Sequence, residues 1–400
     1  MHSCKIAIFV WSEHGHVNPV LSLMKELVVR GVDVVCFATS RFASSVEATG
    51  ARFVPYSYPA ELVAFRTNYH KEITQAFDFC GGNANEMMAV AHVVLDQVWP
   101  ILREERPDAV LYDTCAFAGR FARELLSVPG IMIHTSYPSH GEFLNYGPQG
   151  GPDHRHGVGF RAKARKLTER YGVAYVGEED MYLYSEPLTI AFMAREFHPV
   201  GSALDGRVAF VGPQITARLG GTYTPPTDGR PLVYISLGTE FYHWPGFFRM
   251  CLEALGGKDW NVLMAIAKLD ASALGSVPSN VRIEPHVPQL EVLSHARVFV
   301  THGGMNSIQE SLWFGVPMVV IPQMPEQATS ARRIVDLQLG QHLERSAVTP
   351  ISLLTAIEQV SRDPTYAAGV ARMQNILRGT GGPTLAAELV IEAACRSQDR

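Results

Sequence analysis

Short apolar runs alternate with amphipathic stretches along the chain, and the first repeat shows the pattern most clearly. Residues 5–11, KIAIFVW, form a mostly apolar run that predicts a buried strand. Asn18 and Pro19 then favour the cap and the first turn of a helix, which Gly31 ends. A second apolar run covers residues 32–38. This order predicts a strand, a helix and a parallel strand, the repeating unit of parallel sheets.

The same alternation continues in two series, separated by a stretch without periodicity. That stretch, residues 213–231, is rich in Gly, Pro and Thr and predicts an interdomain linker. A helix is expected over residues 120–126, and strands over residues 109–112, 131–134, 232–237, 262–266, 298–301 and 318–321. The predicted fold class is α/β, with Rossmann-like βαβ domains over residues 1–212 and 232–382. Residues 383–400 predict a C-terminal helix that can pack back on the first domain or on the second.

Composition narrows the class of protein. A chain of 400 residues with 47% hydrophobic content has more apolar residues than a single domain core usually holds, so two domains are expected. The net charge is −5 and no long run of Lys or Arg occurs, so nucleic acid is not an expected partner. Six scattered cysteines without a CxxC pair predict reduced thiols and a cytoplasmic location. No apolar run reaches the roughly 18 residues of a membrane span, and the first is too short for a signal peptide.

Polar side chains follow several of the predicted strands, at the edge where α/β sheets bind ligands. His14 and His16 come after the first strand, Asp113 comes directly after residues 109–112, and His302 comes directly after the strand VFVT. Taken singly, Asp113 is typical of a helix cap, and a histidine beside glycine is typical of a turn. The occurrence of a histidine and Asp113 together at strand ends of the first domain instead favours an acid-base pair there.

Gly303 and Gly304 predict an anion-binding turn in the second domain. The helix expected to start near Asn306 or Ser307 would direct its amide groups and its positive dipole end at a bound diphosphate. Two interpretations of Glu310 stay open from the residues alone. It either completes a capping box with Ser307 or accepts hydrogen bonds from ribose hydroxyls.

The segments around this turn carry a resemblance to a known family. HVPQ precedes THGGMNS, and GVPMVVIP and EQ follow it, while HGHVNP and VLYD occur in the first half of the chain. Together these segments resemble the family 1 glycosyltransferases of the GT-B fold, UDP-sugar-dependent enzymes, and among them the bacterial macrolide and flavonoid group. The resemblance implies two Rossmann-like domains that face each other across a cleft.

The resemblance also implies roles for residues of the second domain. The HVPQ loop would hold the base, the histidine and the Asn-Ser pair after the strand would contact the phosphates, Glu310 would bind the ribose, and the EQ pair would contact sugar hydroxyls. The implied donor-binding residues are Ser236, Gly238, Thr239, His286, Val287, Gln289, His302, Gly304, Asn306, Ser307, Glu310, Glu326 and Gln327. His286 stands where many members have an aromatic residue, and Met305 replaces a Trp common in the plant branch, which leaves UDP and dTDP open. A ribose-binding Glu310 favours UDP.

In the first domain, the resemblance implies that His16 is the general base and that Asp113 orients it. The acceptor oxygen would attack the anomeric carbon in one displacement, so configuration is inverted. His14 is also able to act as a base, and a structural or solvent-facing role is expected for it. No DxD motif occurs, so neither a metal nor a cofactor beyond the UDP-sugar co-substrate is expected. The pair of histidines in PDHRHG is expected in an exposed loop.

The expected acceptor is a hydrophobic small molecule such as a phenol, a flavonoid or a macrolide. Residues 56–99 and 137–184 interrupt the βαβ rhythm and are rich in aromatic residues and Met, which suits a bulky apolar ligand. The alternative is that these side chains fill the core of the first domain. The candidate acceptor-binding residues are Phe65, Phe77, Phe79, Met87, Phe143 and Tyr146.

The predicted function is therefore inverting transfer of a hexose, with glucose expected, from UDP to a hydroxyl of such a molecule. Two alternatives remain at this point. A sugar-nucleotide epimerase on a similar scaffold would act on the donor alone, without an apolar acceptor pocket. A non-catalytic subunit that binds nucleotide sugars would have no use for His16 and Asp113.

Overall fold

The computed structural model describes residues 4–59, 76–139, 155–177, 180, 186–215, 222–239 and 243–395. The chain divides into two compact units. Unit 1 comprises Met1–Ile215 and Thr380–Arg400, and unit 2 comprises Thr216–Gly379. The C-terminal segment thus belongs to unit 1.

Unit 1 is built on a seven-stranded parallel sheet. Its strands are β1 (Lys5–Phe9), β2 (Asp33–Thr39), β3 (Arg52–Tyr56), β4 (Ala109–Asp113), β5 (Gly130–His134), β6 (Leu188–Ala191) and β7 (Val208–Phe210). Their order in the sheet is β3-β2-β1-β4-β5-β6-β7. The chain builds outward from β1 to β3 and then returns to pair β4 with β1, so the direction of growth reverses between these two strands.

Helices cover both faces of this sheet, because successive strand residues point to opposite sides. They are α1 (His14–Val29), α2 (Ala43–Glu47), α3 (Ala76–Glu105), α4 (Phe117–Leu126) and α5 (Arg155–Tyr171). In β1, Ala7 and Phe9 pack in a core with residues of α3, α4 and α5. Ile6 and Ile8 pack on the other face with residues of α1.

The prediction that residues 56–99 and 137–184 interrupt the βαβ rhythm is wrong for the parts that α3 and α5 cover. Helix α5 lies in the crossover between β5 and β6, and the crossover between β3 and β4 is α3. The buried apolar side chains of α3 recur at helical spacing, which places them in the core of unit 1. They are Ala84, Met88, Ala91, Leu95, Val98 and Leu102.

Unit 2 has a six-stranded parallel sheet of the same kind. Its strands are β8 (Leu232–Ser236), β9 (Asn261–Ala265), β10 (Val281–Glu284), β11 (Ala296–Thr301), β12 (Met318–Val320) and β13 (Gly340–His342). The order is β10-β9-β8-β11-β12-β13, so the reversal falls between β8 and β11. The helices are α6 (Pro245–Leu255), α7 (Gln289–His295), α8 (Met305–Trp313), α9 (Pro325–Asp336), α10 (Pro350–Arg362) and α11 (Pro364–Arg378).

The final helix, α12 (Gly382–Cys395), completes unit 1 and packs on α1. Its buried Ala387 and Val390 enter the core that also holds Leu23 and Leu27 of α1. The turn that leads into α12 is tied to the same unit, because the Gly382 amide donates to the Val211 carbonyl at 2.8 Å.

The eight predicted strands are confirmed, each within two residues at either end. The predicted helix over residues 120–126 is α4, which starts three residues earlier. Cys36 and Cys251 are buried thiols outside any disulfide, and burial raises the pKa of each. Within the described ranges, no helix combines the length and the apolar character needed to cross a membrane.

Candidate active site

The reversal of strand order places the candidate residues together within each unit. Ligands of open α/β sheets bind outside the carboxyl ends of the strands, at the point where the order reverses. In unit 1 this point lies between β1 and β4, where His16 follows β1 and Asp113 ends β4. In unit 2 it lies between β8 and β11, where Ser236 ends β8 and His302 follows β11.

His16 lies in the first turn of α1 rather than in a loop before the helix. The prediction that Asn18 caps a helix begun by Pro19 is wrong, because α1 starts at His14 with Glu13 as its N-cap. The His16 amide already donates to the Glu13 carbonyl at 3.0 Å, so the helix is wound before Pro19 is reached. Proline fits there because its fixed φ is helical.

His16 and Asp113, which the sequence predicted as an acid-base pair, are hydrogen-bonded to each other in the structure. His16 Nδ1 lies 2.8 Å from Asp113 Oδ2. A carboxylate can only accept, so Nδ1 carries the hydrogen of this bond, and Nε2 is the basic nitrogen of the neutral ring. The Asp113 side chain is fully buried, whereas 20% of the His16 side chain is exposed. The buried Asp113 carboxylate therefore orients the imidazole through Nδ1, while part of the ring remains accessible to solvent.

Two further contacts fix this pair. The Cys115 amide donates to Asp113 Oδ1 at 2.7 Å, which occupies the second carboxylate oxygen. Thr135, just after β5, places its Oγ1 3.2 Å from His16 Nδ1. Asp113 does not cap the following helix, since α4 has Ala116 as its N-cap and no side chain bonds there.

His14 has a different environment. Its side chain is exposed, and its ring contacts the Phe42 ring edge to face, with centroids 5.1 Å apart. This agrees with the solvent-facing position expected for it.

His16, Asp113 and Cys115 also form a set of residues that could hold a metal ion. Their ligand atoms lie within 4.8 Å of one another, which makes them such a group in the part of the chain that the structure describes. Binding of a metal would displace the hydrogen shared by His16 and Asp113. Metal-independent transfer stays a prediction.

In unit 2, the turn after β11 brings backbone amides to the start of α8. Gly303 has φ +87°, a left-handed conformation that favours glycine, and Gly304 is the N-cap of α8, which begins at Met305. The helix therefore starts earlier than predicted. Ser307 lies inside the first turn and no side chain caps the helix, so the capping-box interpretation of Ser307 and Glu310 is wrong. The helix amides remain directed at the turn, as anion binding requires.

The His302 ring packs between Gly304 of this turn and Gly238 of the turn that follows β8. A Cβ at Gly238 would lie 2.8 Å from His302 Cε1, and one at Gly304 would lie 2.6 Å from Nε2, so both positions need glycine. Burial lowers the pKa of His302 to about 4, opposed by its hydrogen bond to the Ser236 backbone carbonyl. A neutral imidazole has one N–H, which this carbonyl accepts. A phosphate contact therefore requires His302 to share that hydrogen or to gain a second one.

Stability is expected to fall as the pH drops from about 6.5 to 4. Burial lowers the pKa of His302 to about 4, and it does the same to His134 at the end of β5, against the opposing charge of Asp113. Below about pH 6.5 these histidines bind protons in the unfolded protein, but in the folded protein they stay neutral down to about pH 4. Each histidine therefore lowers the free energy of unfolding by on the order of 3 kcal/mol as the pH falls from 6.5 to 4, and by almost nothing above pH 6.5. Urea unfolding at pH 7 and pH 5 measures the first part of this loss, about 2 kcal/mol for each histidine.

The His302→Gln variant tests whether His302 causes part of this loss, because glutamine does not titrate. In this variant the free energy of unfolding should depend less on pH. Substitution of the exposed His286 by Ala is the matched control and should leave the dependence intact. An unfolding free energy that is equal at pH 7 and pH 5 would contradict the prediction.

Glu310 belongs to a buried polar group rather than to a helix cap. It is 1% exposed, and Gln289 Nε2 lies 2.6 Å from its Oε2 and 3.3 Å from Ser307 Oγ. Gln289 begins α7, directly after the HVP segment. The structure thus brings together the residues that the resemblance assigns to the nucleoside.

The remaining donor-binding candidates lie on nearby segments of unit 2. Gln327 is buried in the first turn of α9, and its Oε1 accepts from the Gln323 amide at 2.8 Å. His286 is exposed, and a further group is half-buried: Val287, Thr239, Asn306 and Glu326.

Of the candidate acceptor-binding residues, Met87 alone has a described side chain. It is 5% exposed and packs in the core of unit 1, which agrees with the core-filling alternative for this residue. Phe77 and Phe79 lie on α3, in a part whose side chains are outside the described set, and three others lie outside the described residues altogether: Phe65, Phe143 and Tyr146. Of the PDHRHG histidines, His154 lies outside the described residues, whereas His156 lies in the first turn of α5, so the prediction of a loop is wrong for His156.

Two residues near the site were not predicted from the sequence. Thr135 contacts His16, and Tyr234, inside β8, donates a hydrogen bond to Gln289. Thr135 follows a predicted strand, so the rule that selected Asp113 could have found it. Tyr234 carries no such signal, because a tyrosine within an apolar strand is typical of the core.

Comparison with known proteins identifies the family. Residues 249–392 match the family described as "Erythromycin biosynthesis protein CIII-like, C-terminal domain". The chain is 34% identical over 411 residues to the NDP-glycosyltransferase YjiC of Bacillus licheniformis, covering 96% of each chain. It is 33% identical over 418 residues to the demethyllactenocin mycarosyltransferase of Streptomyces fradiae, covering 97% of this chain and 87% of that one.

Solved structures agree with these relatives. The crystal structure of a kitacinnamycin glycotransferase superposes with a TM-score of 0.84 at 30% identity, over 98% of this chain and 100% of that one. The calicheamicin glycosyltransferase CalG4 gives a TM-score of 0.81 at 30% identity, over 99% and 100%. These relatives are sugar transferases, which sets the epimerase and the non-catalytic subunit aside. The chain therefore belongs to the family 1 glycosyltransferases of the GT-B fold, and it is an enzyme that transfers sugars.

Proposed function

We propose that this enzyme is an inverting hexosyltransferase that moves glucose from UDP to a hydroxyl of a hydrophobic small molecule. His16 is the general base and Asp113 orients it. The observation that carries the proposal is the 2.8 Å hydrogen bond from His16 Nδ1 to the buried Asp113 carboxylate. Because this bond holds the hydrogen on Nδ1, it presents Nε2 as the proton acceptor.

In the proposed reaction, the acceptor hydroxyl gives its proton to His16 Nε2 while its oxygen bonds to the anomeric carbon. The bond from that carbon to the diphosphate oxygen breaks in the same displacement, and UDP leaves with the electron pair. Attack from the side opposite the leaving group converts an α-linked donor into a β-linked product. Asp113 stabilises the imidazolium that forms, and the proton then passes to solvent.

The donor is assigned to the carboxyl ends of the unit 2 strands. The diphosphate is proposed to lie on the amides of Gly303 and Gly304 and at the start of α8, where the helix dipole favours negative charge. Ribose hydroxyls are proposed to donate to Glu310, whose buried carboxylate already has one donor in Gln289. Glu326 and Gln327, in the first turn of α9, are proposed to contact the sugar.

The acceptor class is supported by the names of the relatives and by composition. The enzymes named for demethyllactenocin, kitacinnamycin and calicheamicin take their names from natural products. Some aromatic side chains of residues 56–99 and 137–184, such as Phe160, pack in the core of unit 1, and the others suit an apolar acceptor such as a phenol, a flavonoid or a macrolide. We also propose a cytoplasmic location, and transfer that needs neither a metal nor a further cofactor.

Incubation with UDP-glucose and a panel of phenols, flavonoids and macrolides is expected to yield a product heavier than its acceptor by one hexose. Mass spectrometry detects the product, and NMR of the anomeric proton reports the β configuration. EDTA in the reaction should leave the yield unchanged. Products that carry an α-linked sugar would contradict inversion, and a product formed only from dTDP-sugars would contradict the choice of UDP.

A further inference from the structure

Tyr234 lies in β8 beneath the nucleoside-binding residues of unit 2. It is 1% exposed, and its ring stacks on Phe299 of β11, with centroids 4.7 Å apart and planes inclined by 8°. This stacking fixes the ring, so the position of the hydroxyl is fixed as well. The hydroxyl oxygen lies 2.9 Å from Gln289 Oε1.

The partners of Gln289 determine how its amide is oriented. Its Nε2 lies 2.6 Å from Glu310 Oε2, and a carboxylate accepts hydrogen bonds but donates none. The nitrogen must therefore face Glu310, which turns Oε1 toward Tyr234. An amide oxygen only accepts, so the tyrosine hydroxyl is the donor. Burial, the largest cause, raises the pKa of Tyr234, and the hydroxyl keeps its proton at any working pH.

We infer that Tyr234 is a positioning residue for nucleoside recognition, acting through Gln289 on Glu310. Its hydroxyl holds the Gln289 amide in the one orientation that donates to the carboxylate, and that bond orients Glu310 for the ribose. The inference rests on the proposed ribose-binding role of Glu310. It adds that discrimination between ribose and 2′-deoxyribose depends on a residue of the strand core with no assigned contact to the nucleotide.

Loss of the hydroxyl has a defined consequence. Tyr234→Phe keeps the stacked ring but leaves Gln289 Oε1 without this donor. The amide is then held from its Nε2 side alone, so it can shift in position and lengthen the 2.6 Å bond to Glu310. One neutral hydrogen bond corresponds to roughly a five- to tenfold change in affinity.

The test is calorimetric titration of UDP and of 2′-deoxy-UDP into the full-length protein. Tyr234→Phe is expected to weaken UDP binding about five- to tenfold and to reduce the preference for UDP over 2′-deoxy-UDP by a similar factor. Inorganic pyrophosphate, which reports on the anion-binding turn alone, should bind as before. Tyr112→Phe is the matched control, because Tyr112 is a buried strand tyrosine of unit 1 that donates to Glu186 at 2.7 Å. The Tyr112→Phe variant should bind both UDP and 2′-deoxy-UDP as the wild-type protein does.

A double-mutant cycle with Gln289→Ala separates positioning from general structural damage. If Tyr234 acts through Gln289, its substitution has no further effect once Gln289 is removed. A full additive loss in the double variant would overturn the inference, and so would an unchanged preference for UDP in Tyr234→Phe. A wild-type protein that binds no UDP at all would instead overturn the proposed function. A wild-type protein that binds UDP and 2′-deoxy-UDP equally would overturn the role of Glu310 and this inference with it.

Discussion

The His16→Ala enzyme is expected to lose about 10²- to 10⁴-fold in kcat, the usual contribution of a positioned general base. Alanine removes Nε2, and no other imidazole is held by Asp113 at 2.8 Å in the described residues. Affinity for UDP should stay near the wild-type value, because the donor residues lie in unit 2. Initial rates at saturating donor and acceptor, together with calorimetric titration of UDP, measure the two quantities.

His14→Ala is the matched control, since it removes an exposed imidazole two residues away and should retain most of the activity. Asp113→Asn tests orientation separately. The asparagine amide can donate to Nδ1, which would place the hydrogen on Nε2 and abolish its basicity, so kcat should fall although the geometry is kept. Full activity of His16→Ala would refute the assignment of the base.

Replacement of Glu310 should weaken binding of UDP by about ten- to a hundredfold, since hydrogen bonds to a charged group contribute roughly 1.5–3 kcal/mol. Binding of 2′-deoxy-UDP should suffer less, because that nucleotide lacks one of the hydroxyls that the carboxylate accepts from. The isosteric Glu310→Gln is the first variant to compare by calorimetry, and Glu310→Ala is the second. Both remove a carboxylate that is 1% exposed.

Glu253→Ala, on the exposed side of α6, controls for the loss of a carboxylate elsewhere in unit 2. Thermal unfolding of each variant distinguishes a binding defect from a folding defect. Equal losses for UDP and 2′-deoxy-UDP would show that Glu310 supports the packing of α7 and α8 and does not contact the ribose.

The sheets and the position of the site could be predicted because they depend on strong local signals. The run over residues 298–301 is short and mostly apolar, and two glycines come just after His302, so β11 and its turn were evident from the chain. Asp113 and His302 follow such runs directly. Parallel pairing then brings strand ends to one edge, which is why a rule about topology located these residues without coordinates.

Other features depend on contacts that the sequence does not encode locally. The start of α1 was misplaced because Pro19 usually marks a first turn, whereas here a helix already formed by Glu13 and His16 continues through it. The hydrogen bond of Thr135 to His16 spans 119 residues of sequence. That of Tyr234 to Gln289 requires the register of β8 against α7. Such long-range partners become visible only when the fold is known.

The position of α12 has a consequence for biosynthesis. Residues 380–395 complete the hydrophobic surface of α1, although 164 residues assigned to unit 2, Thr216–Gly379, are translated before them. The amino-terminal half therefore leaves the ribosome with Leu23 and Leu27 still lacking their partners on α12. Unit 2, in contrast, is continuous in sequence, so all of its residues have been synthesised before the last helix of unit 1.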